Sequence, residues 1–215
     1  MSVVLILGAG SNIGQNVATV FAAHGWRIAS ASRSREDKIA DDTHLDLHVD
    51  LSQPGSIPEV FRKVKSHWAA PSVVIYNGAK RTLVDARDPL TPITLKQHEE
   101  EMAINLTSAF IAAQQAVLNV MPSPAVLTFG LGKTAAAHMI WDASVAYKDD
   151  GFRFYFTDER FPDGSPIRDQ MSGEARAAEY IKLAQLKEQG PWHYTFVKGM
   201  GYTNFYDEDR KAYFL

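Results

Sequence analysis

Three stretches of the 215-residue chain hold residue types that could do chemistry. The first is Gly8-Ala9-Gly10-Ser11-Asn12-Ile13-Gly14, which follows a strand-like run and opens a helical pattern. Glycines there let the backbone approach a pyrophosphate, and the free N–H groups of the helix start bind its charge. The spacing is G-x-G-x-x-x-G, not the G-x-G-x-x-G of the dinucleotide fingerprint. The second is Ser32-Arg33-Ser34-Arg35, with no acid before Glu36. A dinucleotide unit that takes NAD places an acid here, on the ribose 2′-OH. A hydroxyl followed by a guanidinium suits a 2′-phosphate, which Arg takes bidentately. Arg33 is the principal candidate, with Ser32 assisting and Arg35 as a further contributor. The plainer alternative is a pair of solvated loop cations. The third is Thr128-Phe129-Gly130-Leu131-Gly132-Lys133. Lys133 stands where a helix should begin, and the helix dipole disfavours its charge. A lysine with a lowered pKa can act as an acid, and one that stays charged can hold a ribose or phosphate. Thr128 is the nearest hydroxyl.

The elements that must position these residues follow from short apolar runs alternating with longer helical patterns, which implies a parallel α/β sheet. Strands are expected at Val3–Leu7, Arg27–Ala31, His44–Leu51, Ser72–Tyr76, Ala125–Phe129, Phe152–Thr157 and Trp192–Val197. Helices are expected near Asn12–His24, Ile57–Trp68, Leu95–Val120, Lys133–Lys148 and Gly173–Gln189, with Gly25 closing the first. The run His44–Leu51 alternates, with Leu45, Leu47, Val49 and Leu51 on one side, so it reads as an edge strand. Asp158 and Arg160 then leave the sixth strand, at the sheet edge where open α/β folds bind ligands. A solvated loop is the plainer reading of those charges. The tail after residue 206 has no assignment.

Composition removes several function classes. Apolar residues make up 46% and charged residues 22%, which excludes a disordered chain. The net charge of −3 offers no field for a nucleic-acid backbone. The chain has no cysteine, so disulfides, thiolate nucleophiles and Cys-bound metals are out. No apolar run approaches the roughly 20 residues of a membrane span. A single domain over residues 1–215 is expected, in a soluble, cytoplasmic protein acting on a small molecule. The face His44, Asp46, His48, Asp50 lies on one side of a strand but offers no convergent cluster, which metal histidines need, so no metal site is expected there.

Beyond these readings the chain resembles the short-chain dehydrogenase/reductase family. That family's turn reads T-G-x-x-x-G-I-G, and Leu7 to Gly14 fits with Leu7 for the Thr and Asn12 for the middle glycine. Asp50-Leu51 stands where an acid and an apolar residue border the adenine. Tyr76-Asn77-Gly78-Ala79 occupies the place of N-N-A-G, and Asn105 matches the structural and proton-relay Asn of the long helix. The resemblance implies a doubly wound, three-layer Rossmann-type fold and a nicotinamide cofactor. The residues implied at that cofactor are Gly8, Gly10, Ser11, Asn12, Ile13, Gly14, Ser32, Arg33, Asp50, Leu51, Asn77, Gly78, Ala79 and Lys133. It also implies a homodimer through the helices near residues 102–120 and 133–147.

The family's catalytic Tyr-x-x-x-Lys pair is absent from the chain. Phe129 and Lys133 line up with it only if the Tyr has become Phe. Asn105 and Lys133 are 28 positions apart, clearly fewer than in an ordinary member, so the loop that carries the catalytic Ser is missing. The leading expectation is an NADP(H)-dependent reductase of a small carbonyl or imine, with Asn105, Thr128, Lys133 and Asp158 around the nicotinamide. Two alternatives stay open: a catalytically silent NADP(H)-binding sensor or interaction protein, and a non-redox isomerase or cyclase.

Overall fold

The structure, a computed structural model, describes residues 1–83, 92–119, 126–130, 134–167 and 170–205; residues 126–130, 134–136, 138 and 139 are described by their backbone alone. Among the described residues nine strands form one sheet: β1 Val3–Leu7, β2 Arg27–Ser32, β3 Lys38–Ile39, β4 His44–His48, β5 Val73–Tyr76, β6 Val126–Gly130, β7 Arg153–Arg160, β8 His193–Val197 and β9 Gly201–Tyr202. The order is β3-β4-β2-β1-β5-β6-β7-β8-β9. The pairs from β4 through β8 are all parallel, and the two-residue strands β3 and β9 are antiparallel additions at the edges. The edge expected at β4 is therefore covered by β3. The chain progression turns back on either side of β1, which creates the crevice where doubly wound sheets bind ligands.

The central strand β1 reads Val-Val-Leu-Ile-Leu and is buried at every position, as a strand covered on both faces requires. Helix α1 Ile13–Ala23 and helix α6 Gly173–Gln185 cover one face, where Val4, Ile6, Val17, Phe21, Tyr180 and Phe196 share a core. Helices α2 Ile57–His67, α4 Ser108–Asn119 and α5 Thr134–Ala146 cover the other, around Leu5, Phe61, Ala112, Ile140 and Phe154. This is the three-layer, doubly wound arrangement expected from the sequence.

Local chemistry sets the ends. Helix α1 stops at Gly25, which at a φ of +76° closes a Schellman turn, with Gly25 N–H donating to the Ala22 carbonyl and Trp26 N–H to the Phe21 carbonyl. Phe21 and Trp26 seal that turn edge to face at 5.2 Å. Helix α3 Leu95–Met102 begins with a capping box between Thr94 and Gln97. The long helix expected over 95–120 is not continuous. A π-turn at Ala103–Thr107 separates α3 from α4, and such turns recur at functional sites.

Candidate functional site

A cavity of about 380 Å³ opens at the C-terminal ends of β1, β2 and β5 and of the segment after β4. Its walls include Gly8 and Gly10 from the glycine turn, Ser32 at the end of β2 with Arg33 and Ser34 after it, Asp50 and Leu51 after β4, and Asn77, Gly78 and Ala79 after β5. Nine of these ten positions are among the sequence candidates. Ser34, Val49 and Ile104 also line it and were missed. Val49 belongs to the alternating apolar set and Ile104 precedes Asn105, so both carried a packing signal but no chemical one.

The glycine turn is built by close backbone approach. Gly8 has φ +87°, and a Cβ there would lie 2.8 Å from the Asn77 carbonyl carbon and oxygen. Asn77 returns the contact, its Nδ2 donating to the Gly8 carbonyl at 3.1 Å. A Cβ on Gly14 would meet the Ala9 backbone at 2.5 Å. Gly10 differs: nothing lies within 4 Å of where its Cβ would be, so this is the exposed backbone that a ligand can approach. Ile13 and Gly14 are buried under the turn, and Ser11 and Asn12 are exposed on its far side. The Asn12 amide donates to the Met171 carbonyl at 3.4 Å. Across from it, a Cβ on Gly173 would fall 2.6 Å from Asn12 Oδ1 and 3.0 Å from the Asn12 carbonyl.

The cations after β2 divide. Arg35 turns away and pairs with Asp46 on β4, beside a second recess of about 300 Å³. Arg33 stays exposed on the cavity rim and forms no ion pair with the described residues. Asp50 faces the same cavity. Its Oδ1 accepts from the Ser52 N–H at 2.9 Å and the Ser52 hydroxyl at 2.8 Å. Burial raises its pKa, but the Ser52 hydrogen bonds and the Arg33 charge together hold it below the ordinary carboxylate value. The other polar residues of that strand are engaged locally: His44 with Asp41, and the His48 ring with the Arg35 carbonyl. Among the described residues no group of three or more His, Asp or Glu is arranged to hold a metal ion.

Asn105 lies in the π-turn and is buried. Its Oδ1 accepts from the Lys80 N–H at 3.0 Å and its Nδ2 donates to the Lys80 carbonyl at 2.7 Å. Tyr76 holds the same turn from below, its hydroxyl donating to the Ile104 carbonyl. Burial pushes that phenol far above its ordinary pKa, so it acts as a neutral donor. The segment after β5 is thereby fixed to the helix that carries Asn105.

Thr128 stands in β6, in register between Ile75 and Tyr155. Lys133 lies outside the described residues. Asp158 corrects the expected boundary: β7 runs on to Arg160, so Asp158 is in the strand, one residue beyond the level at which β6 ends. Its carboxylate is held by Arg160, with Nε at 2.7 Å and Nη2 at 2.5 Å. The intervening Glu159 is fully buried and pairs with the equally buried Arg176 of α6 at 3.3 Å. It also accepts from the Ser172 N–H at 3.0 Å, at the start of α6.

A parallel sheet of this order, with a glycine turn at its switch point, defines a nucleotide-binding α/β protein. The chain belongs to the short-chain dehydrogenase family: the family model for short chain dehydrogenase matches residues 2–125. The short chain dehydrogenase/reductase dmxR12 of Cryptosporiopsis sp. (strain 8999) is 37% identical over 234 aligned positions, covering 94% of each chain. That alignment is longer than the 215-residue chain, so the relative carries residues that this chain lacks. The fold is similar to a short-chain dehydrogenase/reductase from Serratia marcescens, with a TM-score of 0.69 at 14% identity over 92% of this chain and 96% of that one. It is also similar to ElxO with NADP bound, with a TM-score of 0.73 at 14% identity over 92% and 96%. Membership makes the chain an oxidoreductase of the kind that uses a nicotinamide cofactor on small molecules. No described helix is long and apolar enough to cross a membrane.

Proposed function

We propose that this chain is an NADP(H)-dependent reductase of a small carbonyl or imine, with a proton-donor site that departs from the family's. The observation that carries the cofactor choice is Arg33: an exposed guanidinium on the cavity rim, flanked by Ser32 and Ser34, while Arg35 is taken by Asp46. The cavity suits the cofactor's adenosine half. Gly10 leaves backbone open to a pyrophosphate. Asp50 Oδ2 makes no hydrogen bond among the described residues and can accept from an exocyclic amine. Arg33, Ser32 and Ser34 supply the donors that a 2′-phosphate needs.

NADPH held by these residues would supply a hydride for a carbonyl or imine carbon. The chain must then deliver a proton to the oxygen or nitrogen. Phe129 cannot do so. Lys133 is the proposed donor or ribose holder, Thr128 the proposed orienting hydroxyl, Asn105 the residue that fixes the neighbouring backbone, and Asp158 a further acid near the sheet edge.

The test is Arg33→Ala, read by titration with NADPH and with NADH. A charged hydrogen-bonding pair is worth about 1.5–3 kcal/mol, so NADPH should bind roughly ten- to a hundredfold more weakly. NADH binding should stay the same. Unchanged NADPH affinity would overturn the cofactor assignment. Oxidation of NADPH with a panel of aldehydes, ketones and imines tests the chemistry.

The second reading is an NADP(H)-binding protein without turnover. Phe129 at the family's Tyr position favours it, and a Tyr-to-Phe variant of ElxO, similar in fold at a TM-score of 0.73, carries bound NADPH. Cofactor affinity with no oxidation across that panel would select this reading.

A further inference from the structure

The segment that follows β2 is held by four contacts that avoid the cavity. Arg35 pairs with Asp46 of β4. The Arg35 carbonyl meets His48 Nδ1 at 3.2 Å. Asp37 Oδ1 accepts from the His48 N–H at 2.8 Å, and Asp37 Oδ2 pairs with Lys63 on α2. Arg33 sits between β2 and these anchors, so the backbone on both sides of it is fixed.

Asp37 is also an acid close to the place where an acid would select a bare ribose. It does not line the cavity. Both of its oxygens are occupied on the outer side, by Lys63 and by the His48 backbone. Those two partners keep it ionised, its pKa held below the ordinary carboxylate value by Lys63 first and the His48 N–H second.

We infer that Asp37 is a positioning residue for cofactor discrimination: it anchors the Arg33 segment so that the guanidinium is presented to a 2′-phosphate. This rests on the NADP(H) reading above. The Asp37–Lys63 and Arg35–Asp46 pairs are partly exposed, and pairs of that kind add little to global stability. What they remove is the conformational freedom of a short exposed segment, a cost that would otherwise be met on binding.

The sign of the effect separates anchoring from plain electrostatics. Removing Asp37 removes a negative charge near the rim, and charge alone would make an anionic phosphate bind more tightly. Loss of an anchor makes it bind more weakly. The experiment measures NADPH and NADH dissociation constants for the intact chain, Asp37→Ala, Arg33→Ala and the double variant, with thermal midpoints alongside. Asp37→Ala should weaken NADPH roughly three- to thirtyfold, the scale set by freeing a few residues, with NADH unchanged. The double variant should bind NADPH no more weakly than Arg33→Ala alone, because Asp37 acts through Arg33.

Tighter or unchanged NADPH binding in Asp37→Ala overturns the inference. Equal weakening of NADPH and NADH also overturns it, since that marks a general structural role. If Arg33→Ala itself leaves NADPH binding intact, the cofactor reading fails, and that result is separate from any behaviour of Asp37.

Discussion

Asn105 holds the backbone of Lys80 from both sides, accepting from its N–H at 3.0 Å and donating to its carbonyl at 2.7 Å. The carboxamide is matched to a peptide group, which also has one donor and one acceptor. Asn105→Ala leaves two backbone groups without partners in a part-buried place. Each such loss costs about 1–3 kcal/mol, so urea unfolding should show a total of about 2–6 kcal/mol. A change below about 0.5 kcal/mol, the usual range for neutral surface positions, would show that water replaces the side chain fully.

The two glycines at the mouth of the turn should behave in opposite ways. Gly8→Ala places a Cβ 2.8 Å from the Asn77 backbone at a φ of +87°, so the variant should lose stability. Gly10→Ala meets no protein atom within 4 Å and should keep its thermal midpoint. Its added methyl group occupies the approach to the turn, so NADPH affinity should fall at least about tenfold by the close-approach argument. Gly10→Ala with normal affinity would move the phosphate elsewhere.

Glu159 and Arg176 form an ion pair that is 0% and 1% exposed. Breaking such a pair strands a charge and costs about 3–5 kcal/mol. Glu159→Leu and Arg176→Met should each show that loss in denaturant titrations. The double variant Glu159→Leu/Arg176→Met should be less destabilised than either single change, because no charge remains to strand. Additive losses would mean that the two side chains act independently.

His193 supplies a pH-dependent part of the stability. Burial depresses its pKa below 6.5; the Asp158 charge opposes this and the Arg160 charge adds to it. The unfolded chain therefore binds the proton more readily than the folded one. The contribution is fully present above pH 6.5 and is lost as the pH falls through the folded pKa below it. Urea midpoints measured from pH 7.5 to 5 should fall more steeply for the intact chain than for His193→Phe. Parallel profiles would remove His193 from the account.

Much of this architecture was legible because local patterns are strong where a strand is buried on both faces or a helix has a clear cap. The run Val3–Leu7, the glycine turn and the stop at Gly25 each announce themselves within a few residues. The spacing over 95–120 predicts one continuous helix because a π-turn adds a residue without disturbing apolar spacing enough to show. The charges of Asp158, Glu159 and Arg160 predict a loop where β7 in fact continues. Their place in the sheet depends on Arg176, which is distant in sequence, and on pairing with β8. The two-residue strands β3 and β9 carry no periodicity at all. At the site, residue type revealed the turn and Arg33, whereas the diversion of Arg35 to Asp46 is a nonlocal fact.

The contact between Asn12 and Gly173 couples the glycine turn to the start of α6. A Cβ at 173 would meet Asn12 Oδ1 at 2.6 Å, Asn16 Nδ2 at 2.9 Å and the Asn12 carbonyl at 3.0 Å. The two side-chain atoms can swing aside, but the carbonyl belongs to the backbone and stays whatever residue stands at 12. A side chain at 173 therefore presses on the path of the turn itself. A substitution made far away in sequence, outside the cavity, would be felt as a shift of the backbone that is proposed to receive a phosphate.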